Sequence, residues 1–363
     1  MTINFKKDIP KLGYTTEYPI LQNAENGTYD VTLKIAANGI FSIFYDRRRF
    51  IRYCGNFCGD TEISFTASIC DRHFYGFEYE NVTTLIVSVM GDAKITSATV
   101  VPSNRPVIYI AGDSTVTDQE AEYPYNPHST YCGWGQMLPV FLKPGIAVSN
   151  HAQSGLSTAT YLESNHYVPE KHIKPGDYFF IQFGHNDQKV AELNAFGGYY
   201  DNLCRLIEFA YSHNAQPVVC TPVNRILFMP DKTLMPLLDE YAKAARTAAE
   251  KNGVPIIDLH RRTTEFYTEL GDCDSWAYFW DDGKTRDYTH TNDFGGNLAA
   301  RFVAQGILKE NISPLSEFII PSCQNTPAPI RGYKSSSTRS NPVANIGLIN
   351  IPQNLDKDIS KNL

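Results

Sequence analysis

Val107-Ile108-Tyr109-Ile110-Ala111-Gly112-Asp113-Ser114-Thr115 is the stretch that decides the fold. Its first five residues, apolar or aromatic throughout, make a strand buried on both faces, the kind found in a parallel sheet. Gly112 then permits a tight turn where the strand ends. Similar short runs recur at 146–149, 178–183, 217–220 and 254–257, separated by amphipathic stretches of which 199–211 and 233–251 are the clearest. The second of these is rich in Ala, Leu, Lys and Glu, all strong helix formers. This alternation predicts an α/β domain: a parallel sheet with helices on both faces.

Upstream the period changes. Runs at 29–35, 40–45, 62–69, 84–89 and 95–101 alternate apolar with polar residues, and Asn38-Gly39 and Gly91-Asp92 punctuate them. Period two with β-branched and aromatic enrichment predicts antiparallel strands, read here as a small β-sandwich. It ends at the linker Pro102-Ser103-Asn104-Arg105-Pro106. The expected division is therefore a β-sandwich over 1–105, an α/β domain over 106–312 and an irregular tail over 313–363. Pro321, Pro327, Pro329 and Ser335-Ser336-Ser337 break up that tail. A chain of 363 residues suits two domains of about 100–200 residues each.

Composition excludes several classes. With 32 Lys and Arg against 39 Asp and Glu, the net charge of −7 argues against nonspecific binding to nucleic acid. No uncharged apolar run approaches the roughly 20 residues of a membrane span. The first ten residues carry Lys6, Lys7 and Asp8 and lack the apolar core of a secretory signal, so the expectation is a cytoplasmic protein, or a mature form whose leader is gone. Eight cysteines from Cys54 to Cys323 form no dense framework and are read as free thiols. Cys54, Cys58 and Cys70 lack the nearby histidine pair that would complete a zinc site, so no metal and no cofactor is expected.

Three loops begin where strands of the α/β region end: 111–115, 150–157 and 183–187. In an open parallel sheet such loops meet at one rim, near the point where strand order reverses. Ser114 offers a hydroxyl and a backbone N–H, Gly155 a backbone N–H with no side chain in the way, and Asn186 an amide donor. Three such donors make an oxyanion hole for a tetrahedral acyl intermediate. A serine needs a base, and Asp287-Tyr288-Thr289-His290 supplies one: a spacing of three places the carboxylate to hold the imidazole on one side of a single turn. Asp293 is expected to cap the following helix through Leu298, Phe302 and Ile307. His185 is read as a histidine shaping the rim, Asp113 and Asp187 as carboxylates that hold loops.

Gly112-Asp113-Ser114, Gly155, Gly184-His185-Asn186-Asp187 and Asp287-Tyr288-Thr289-His290 resemble, in order, the four blocks of the GDSL or SGNH hydrolases. Ala111-Gly112-Asp113-Ser114-Thr115-Val116-Thr117-Asp118 and Gly133-Trp134-Gly135-Gln136-Met137-Leu138-Pro139 resemble their rhamnogalacturonan acetylesterase branch. Over 107–312 this implies a flavodoxin-like three-layer fold. It implies Ser114 as nucleophile, Asp287 and His290 as its partners, and an oxyanion hole of Ser114, Gly155 and Asn186. The substrate it implies is an acetylated pectic oligosaccharide, with acetylxylan or another short-chain ester as the alternative. The loop shape is open where Gln153-Ser154 precedes Gly155. The N-terminal pattern resembles galactose-binding-like modules, which leaves a second reading, a carbohydrate-binding protein with a degenerate esterase site. Tyr131 and Trp134 are candidates for a wall that stacks on sugar rings, with Trp134 equally readable as an anchor of a helix against the sheet, and His185 is a further candidate substrate contact. Arg47-Arg48-Arg49 with Arg52 are read as a solvated strand edge, and alternatively as a contact for galacturonate carboxylates.

Overall fold

The computed structural model describes residues 1–5, 9–73, 79–163, 169–324, 328–334 and 339–340. Its N-terminal sheet contains β1 (Thr2–Asn4), β2 (Thr16–Gln22), β3 (Gly27–Tyr45), β4 (Arg49–Ile69) and β5 (Thr84–Ser103). All pairings are antiparallel: β3 lies between β4 and β5, while β1 and β2 pair with opposite ends of β5. The β-sandwich expected here takes the form of one five-stranded sheet. The runs read as separate strands are halves of longer ones, 19 residues in β3 and 20 in β5.

The turn signals are bulges. Pairing jumps from Ala37 opposite Ala93 to Phe41 opposite Gly91, so Asn38-Gly39 bends β3 instead of ending it. Gly91 sits at φ +96°, and a Cβ there would lie 2.3 Å from the carbonyl oxygen of Ile40, so the bend requires glycine. Both halves of the bent strands bury one side into one core, with Val31, Leu33 and Ile35 from one half and Phe41, Ile43 and Tyr45 from the other. Phe44 and Phe50, at the opposite parity, join the core of the C-terminal half.

That half is built on a parallel sheet of β6 (Val107–Gly112), β7 (Ala147–Asn150), β8 (Tyr178–Gln182), β9 (Gln216–Cys220) and β10 (Ile256–Ile257). The spatial order is β10-β9-β8-β6-β7. The runs at 107–111, 146–149, 178–183 and 217–220 are buried strands, while 254–257 contributes only the two-residue strand Ile256–Ile257, of which Ile257 is buried. Alternate residues face two cores: Val107, Tyr109 and Ala111 meet α1 (Tyr200–Ser212) and α2 (Asp239–Lys251). Ile108 and Ile110 meet α3 (Leu259–Leu270) and α4 (Asp293–Lys309). From β6 the chain passes to β7 on one side and later to β8 on the other, so a crevice opens at the carboxyl ends of β6 and β8. A small antiparallel pair, β11 (Phe279–Asp281) and β12 (Thr285–Thr291), brings Asp287 and His290 toward it.

Part of the tail packs on the α/β half: Leu315 and Cys323 are buried, Ile319 bridges to Leu142, and Arg339–Ser340 runs parallel to β12. Pro327, Ser335-Ser336-Ser337 and 341–363 lie outside the described residues. None of the described helices is long and apolar enough to cross a membrane. All eight cysteines are unpaired.

Candidate active site

The turn after β6 is held by buried polar contacts. Asp113 Oδ1 accepts the N–H of Thr115 at 2.9 Å and its hydroxyl at 2.7 Å. Gln182, at the end of β8, donates to Thr115 Oγ1 at 2.7 Å and accepts the indole N–H of Trp134 at 2.8 Å. Burial pushes the Asp113 carboxyl above its ordinary range, against the Thr115 hydrogen bonds that hold it down. Trp134 is fully buried, so it cannot be the sugar wall expected of it. It anchors the turn that carries Ser114, as the alternative reading of Trp134 as a structural anchor had it.

Ser114 is only partly buried, and its Oγ lies 2.8 Å from His290 Nε2. His290 Nδ1 lies 2.7 Å from Asp287 Oδ2. Asp287 is 4% exposed, and its Oδ1 accepts the N–H groups of Thr289 at 2.8 Å and His290 at 3.1 Å. Burial opposes its charge, but the hydrogen bond and charge of His290, with the two N–H groups, hold the carboxyl below its ordinary value. The sequence suggested a single turn here. The segment is instead an irregular strand, and the carboxylate's bonds to the next N–H groups bring Asp287 round to the imidazole. Asp293 does not cap α4: Asn292 does, accepting the N–H groups of Phe294 and Gly295, while the Asp293 carboxylate is drawn to Arg48.

Among the described residues, the N–H groups of Ser114 and Gly155 take no hydrogen-bond partner. Gly155 has φ +86°, yet a Cβ there would meet nothing within 4 Å. The positive φ makes glycine the residue suited to this backbone direction, and the space beside it is open among the protein's own atoms. Asn186 Nδ2 donates to the carbonyl of Leu156 at 3.0 Å, and its Oδ1 accepts from Lys189 Nζ at 3.0 Å. Gln119 ties the first two loops, donating to Ser114 O at 3.4 Å and Ser154 Oγ at 3.2 Å. Asp187 accepts from Thr158 N–H and hydroxyl and from Gly184 N–H, the loop-holding role read for it, and burial raises its pKa to about 6.

His185 is 2% exposed and so is no direct substrate contact. Its Nδ1 accepts from Arg225 Nε at 3.3 Å, and burial with the Arg225 charge holds the ring well below its ordinary pKa, neutral. Tyr131 does stand at the site: its ring is edge-on to His290 at 5.5 Å and stacked on Trp280 at 5.2 Å. Trp280, half-buried and anchored by its indole N–H to Ser129 O at 2.8 Å, escaped the sequence reading. Its signal was Phe279-Trp280, just ahead of the Asp287–His290 block.

Arg48 and Arg49 are not a solvated edge, nor are they open to a substrate's carboxylates: both are 3% exposed. The hairpin tip between β3 and β4 turns into the α/β half, where Asp293 and Asp118 neutralise the two charges. Gln119 and Arg225 were likewise missed, since each meets a partner on another loop; Lys189 was missed although its partner Asn186 is only three residues away.

A serine–histidine–carboxylate chain at the crevice of a parallel sheet, beside unpartnered N–H groups, is the architecture of an α/β ester hydrolase. The chain belongs to the GDSL-like Lipase/Acylhydrolase family, whose model it matches over residues 110–297, and it is a carboxylic ester hydrolase. Rhamnogalacturonan acetylesterase RhgT of Bacillus subtilis (strain 168) is 32% identical over 229 residues, which are 60% of this chain and 95% of the relative. The probable rhamnogalacturonan acetylesterase YesY of the same organism is 35% identical over 218 residues, 59% of this chain and 97% of that one. The crystal structure of Bacillus subtilis YxiM aligns with a TM-score of 0.52 at 22% identity, covering 82% of this chain and 81% of the other. The shared fold thus extends beyond the family match and into the N-terminal sheet.

Proposed function

We propose that the protein is a serine carbohydrate esterase that removes acetyl groups from a pectic, rhamnogalacturonan-type oligosaccharide. The observation that carries the chemistry is the unbroken chain Ser114 Oγ to His290 Nε2 to His290 Nδ1 to Asp287 Oδ2, with links of 2.8 and 2.7 Å. Ser114 Oγ attacks the acetyl carbonyl as its proton passes to His290 Nε2. The Ser114 and Gly155 N–H groups and the Asn186 amide take the charge on the carbonyl oxygen. Collapse breaks the ester bond, and the sugar hydroxyl leaves with the proton from Nε2. Water, deprotonated by the same nitrogen, then releases acetate from the acetyl-serine. Asp287 stays ionised and holds the imidazole in the right tautomer.

The sugar half of the proposal draws on the RhgT and YesY likeness. The Tyr131–Trp280 wall beside His290 also favours it, because aromatic faces suit the apolar faces of pyranose rings. Acetate release from acetylated pectin fragments, acetylxylan and p-nitrophenyl acetate tests both halves. Ser114→Ala should abolish release from all three; a large preference for xylan would remove the pectic assignment and keep the esterase.

A further inference from the structure

The hairpin that joins β3 to β4 is a three-residue loop, Asp46-Arg47-Arg48, with Tyr45 paired to Arg49 across its base. Asp46 and Arg48 both have positive φ, 52° and 57°, a cost that L residues meet only where other contacts enforce it. For Asp46 those contacts are ion pairs with Arg49 and Arg72 inside the N-terminal half; for Arg48 they are made with the α/β half. Arg48 Nη2 donates to both carboxylate oxygens of Asp293, at 2.6 and 2.8 Å, and Nη1 donates to the carbonyls of Gln119 at 3.2 Å and Tyr131 at 3.3 Å. Its guanidinium lies against the rings of Phe50 and Tyr125. Arg49 donates to Asp118 Oδ2 and to the carbonyl of Val148, and Asp118 Oδ1 accepts from Asn150, where β7 ends and the Gly155 loop begins.

The points that Arg48 joins are not random surface. Gln119 holds the carbonyl of Ser114 and the hydroxyl of Ser154. Tyr131 packs on His290 and forms an isolated bridge with Asn292. Asp293 follows His290 by three residues. One guanidinium therefore fixes the loop after the nucleophile, the aromatic neighbour of the base and the segment that carries the base.

We propose that Arg48 is a positioning residue of the esterase, and that the N-terminal sheet completes the active site rather than serving as an appended sugar-binding module. The proposal rests on the reading of Ser114 and His290 given above. Arg48 acts by registering Ser114 against His290. A displacement of about 1 Å between reacting groups costs on the order of 100-fold in rate even when its origin lies outside the site.

The test uses the whole chain of 363 residues. Arg48→Met, Arg48→Lys and Ser114→Ala are compared with wild type for kcat and KM on p-nitrophenyl acetate, and for the rate at which a fluorophosphonate labels Ser114. Assays are run at a temperature where circular dichroism shows each variant folded. Arg48→Met should lose about 100-fold in kcat and in labelling rate, with KM changed far less. Arg48→Lys, which keeps the charge but cannot reach Asp293, Gln119 and Tyr131 together, should recover part of the loss. Should Arg48→Met fail to fold, Arg48→Lys carries the test alone through a lowered kcat at near-constant KM. Wild-type kcat and labelling in a folded Arg48→Met, or in Arg48→Lys if that is the only folded variant, would overturn the proposal even if the melting temperature fell. Activity retained by Ser114→Ala would instead overturn the esterase reading itself.

Discussion

Arg48 and Asp293 stand 245 residues apart in the chain, and their side chains meet at 2.6 Å with both partners buried. Losing one member of such a pair strands the other charge in a dry interior, at a cost of about 3–5 kcal/mol. A chain beginning at Arg105 would strand two, Asp293 and Asp118, and would bare the apolar residues that Phe44 and Phe50 cover. Such a fragment should be insoluble or molten, with no cooperative melt and no turnover, while co-expression with residues 1–104 should restore folding. A soluble fragment with wild-type kcat on p-nitrophenyl acetate would refute this.

Asp287→Asn should lower kcat by on the order of 10⁴ with little change in KM. An amide at this position donates to His290 Nδ1, which then presents N–H and not a lone pair to Ser114. The same carboxylate carries a pH signature. Its pKa in the folded protein lies below the unfolded value near about 3.9. Folding therefore releases a proton from it, and its contribution to stability is complete above about pH 4 and is lost as pH falls through the folded pKa. Denaturant titrations at pH 3 and pH 6 should show a smaller loss of stability on acidification for Asp287→Asn than for wild type.

Trp280 stacks on Tyr131 at an interplanar angle of 15°, and Tyr131 in turn meets His290 edge-on. If this pair is the wall on which a sugar ring rests, Trp280→Ala should lower kcat/KM on an acetylated oligosaccharide about 2–13-fold more than on p-nitrophenyl acetate. That is the 0.5–1.5 kcal/mol typical of an aromatic contact. Equal losses on the two substrates would mean that Trp280 only braces Tyr131.

The parallel sheet was legible because a strand buried on both faces must be apolar at every position, and few other structures tolerate 107–111 or 178–183. Ser114, Gly155 and Asn186 stood out as residue types that acyl transfer would use at strand ends, and His290 by its spacing from Asp287. Arg48 and Arg49 were not. A charged triplet at a hairpin looks solvated unless the acids that meet it are known, and Asp293 and Asp118 lie far along the chain. Asn38-Gly39 misled for a related reason: the dipeptide suits a tight hairpin, but long-range pairing with β5 turned it into a bulge. Trp134 and Trp280 differ in what surrounds them, one enclosed beside the Ser114 turn and the other half-buried against Tyr131. Local sequence does not separate them.

Lys189 and the carbonyl of Leu156 together set which way the Asn186 amide faces. Its Nζ lies 3.0 Å from Asn186 Oδ1, so the oxygen is claimed by a cation and the Nδ2 group is turned the other way, with one hydrogen on Leu156 O and a second left to donate. Removing the ammonium leaves the Leu156 carbonyl alone to hold the amide, which then turns more often to present its oxygen to a developing oxyanion. Lys189→Met should therefore lower kcat on p-nitrophenyl acetate by about 10–100-fold, less than the 100–1,000-fold expected of Asn186→Ala, because a flipped amide still spends part of its time in the productive orientation. The two changes should not add: in the Asn186→Ala background there is no amide left to orient, and Lys189→Met should then cost little. Burial and the nearby Arg225 charge hold the Lys189 pKa below its ordinary value. Wild-type kcat should accordingly decline at alkaline pH as the ammonium is lost, and Asn186→Ala should flatten that decline. Full additivity of the two substitutions would show that Lys189 acts on the oxyanion by some route other than Asn186.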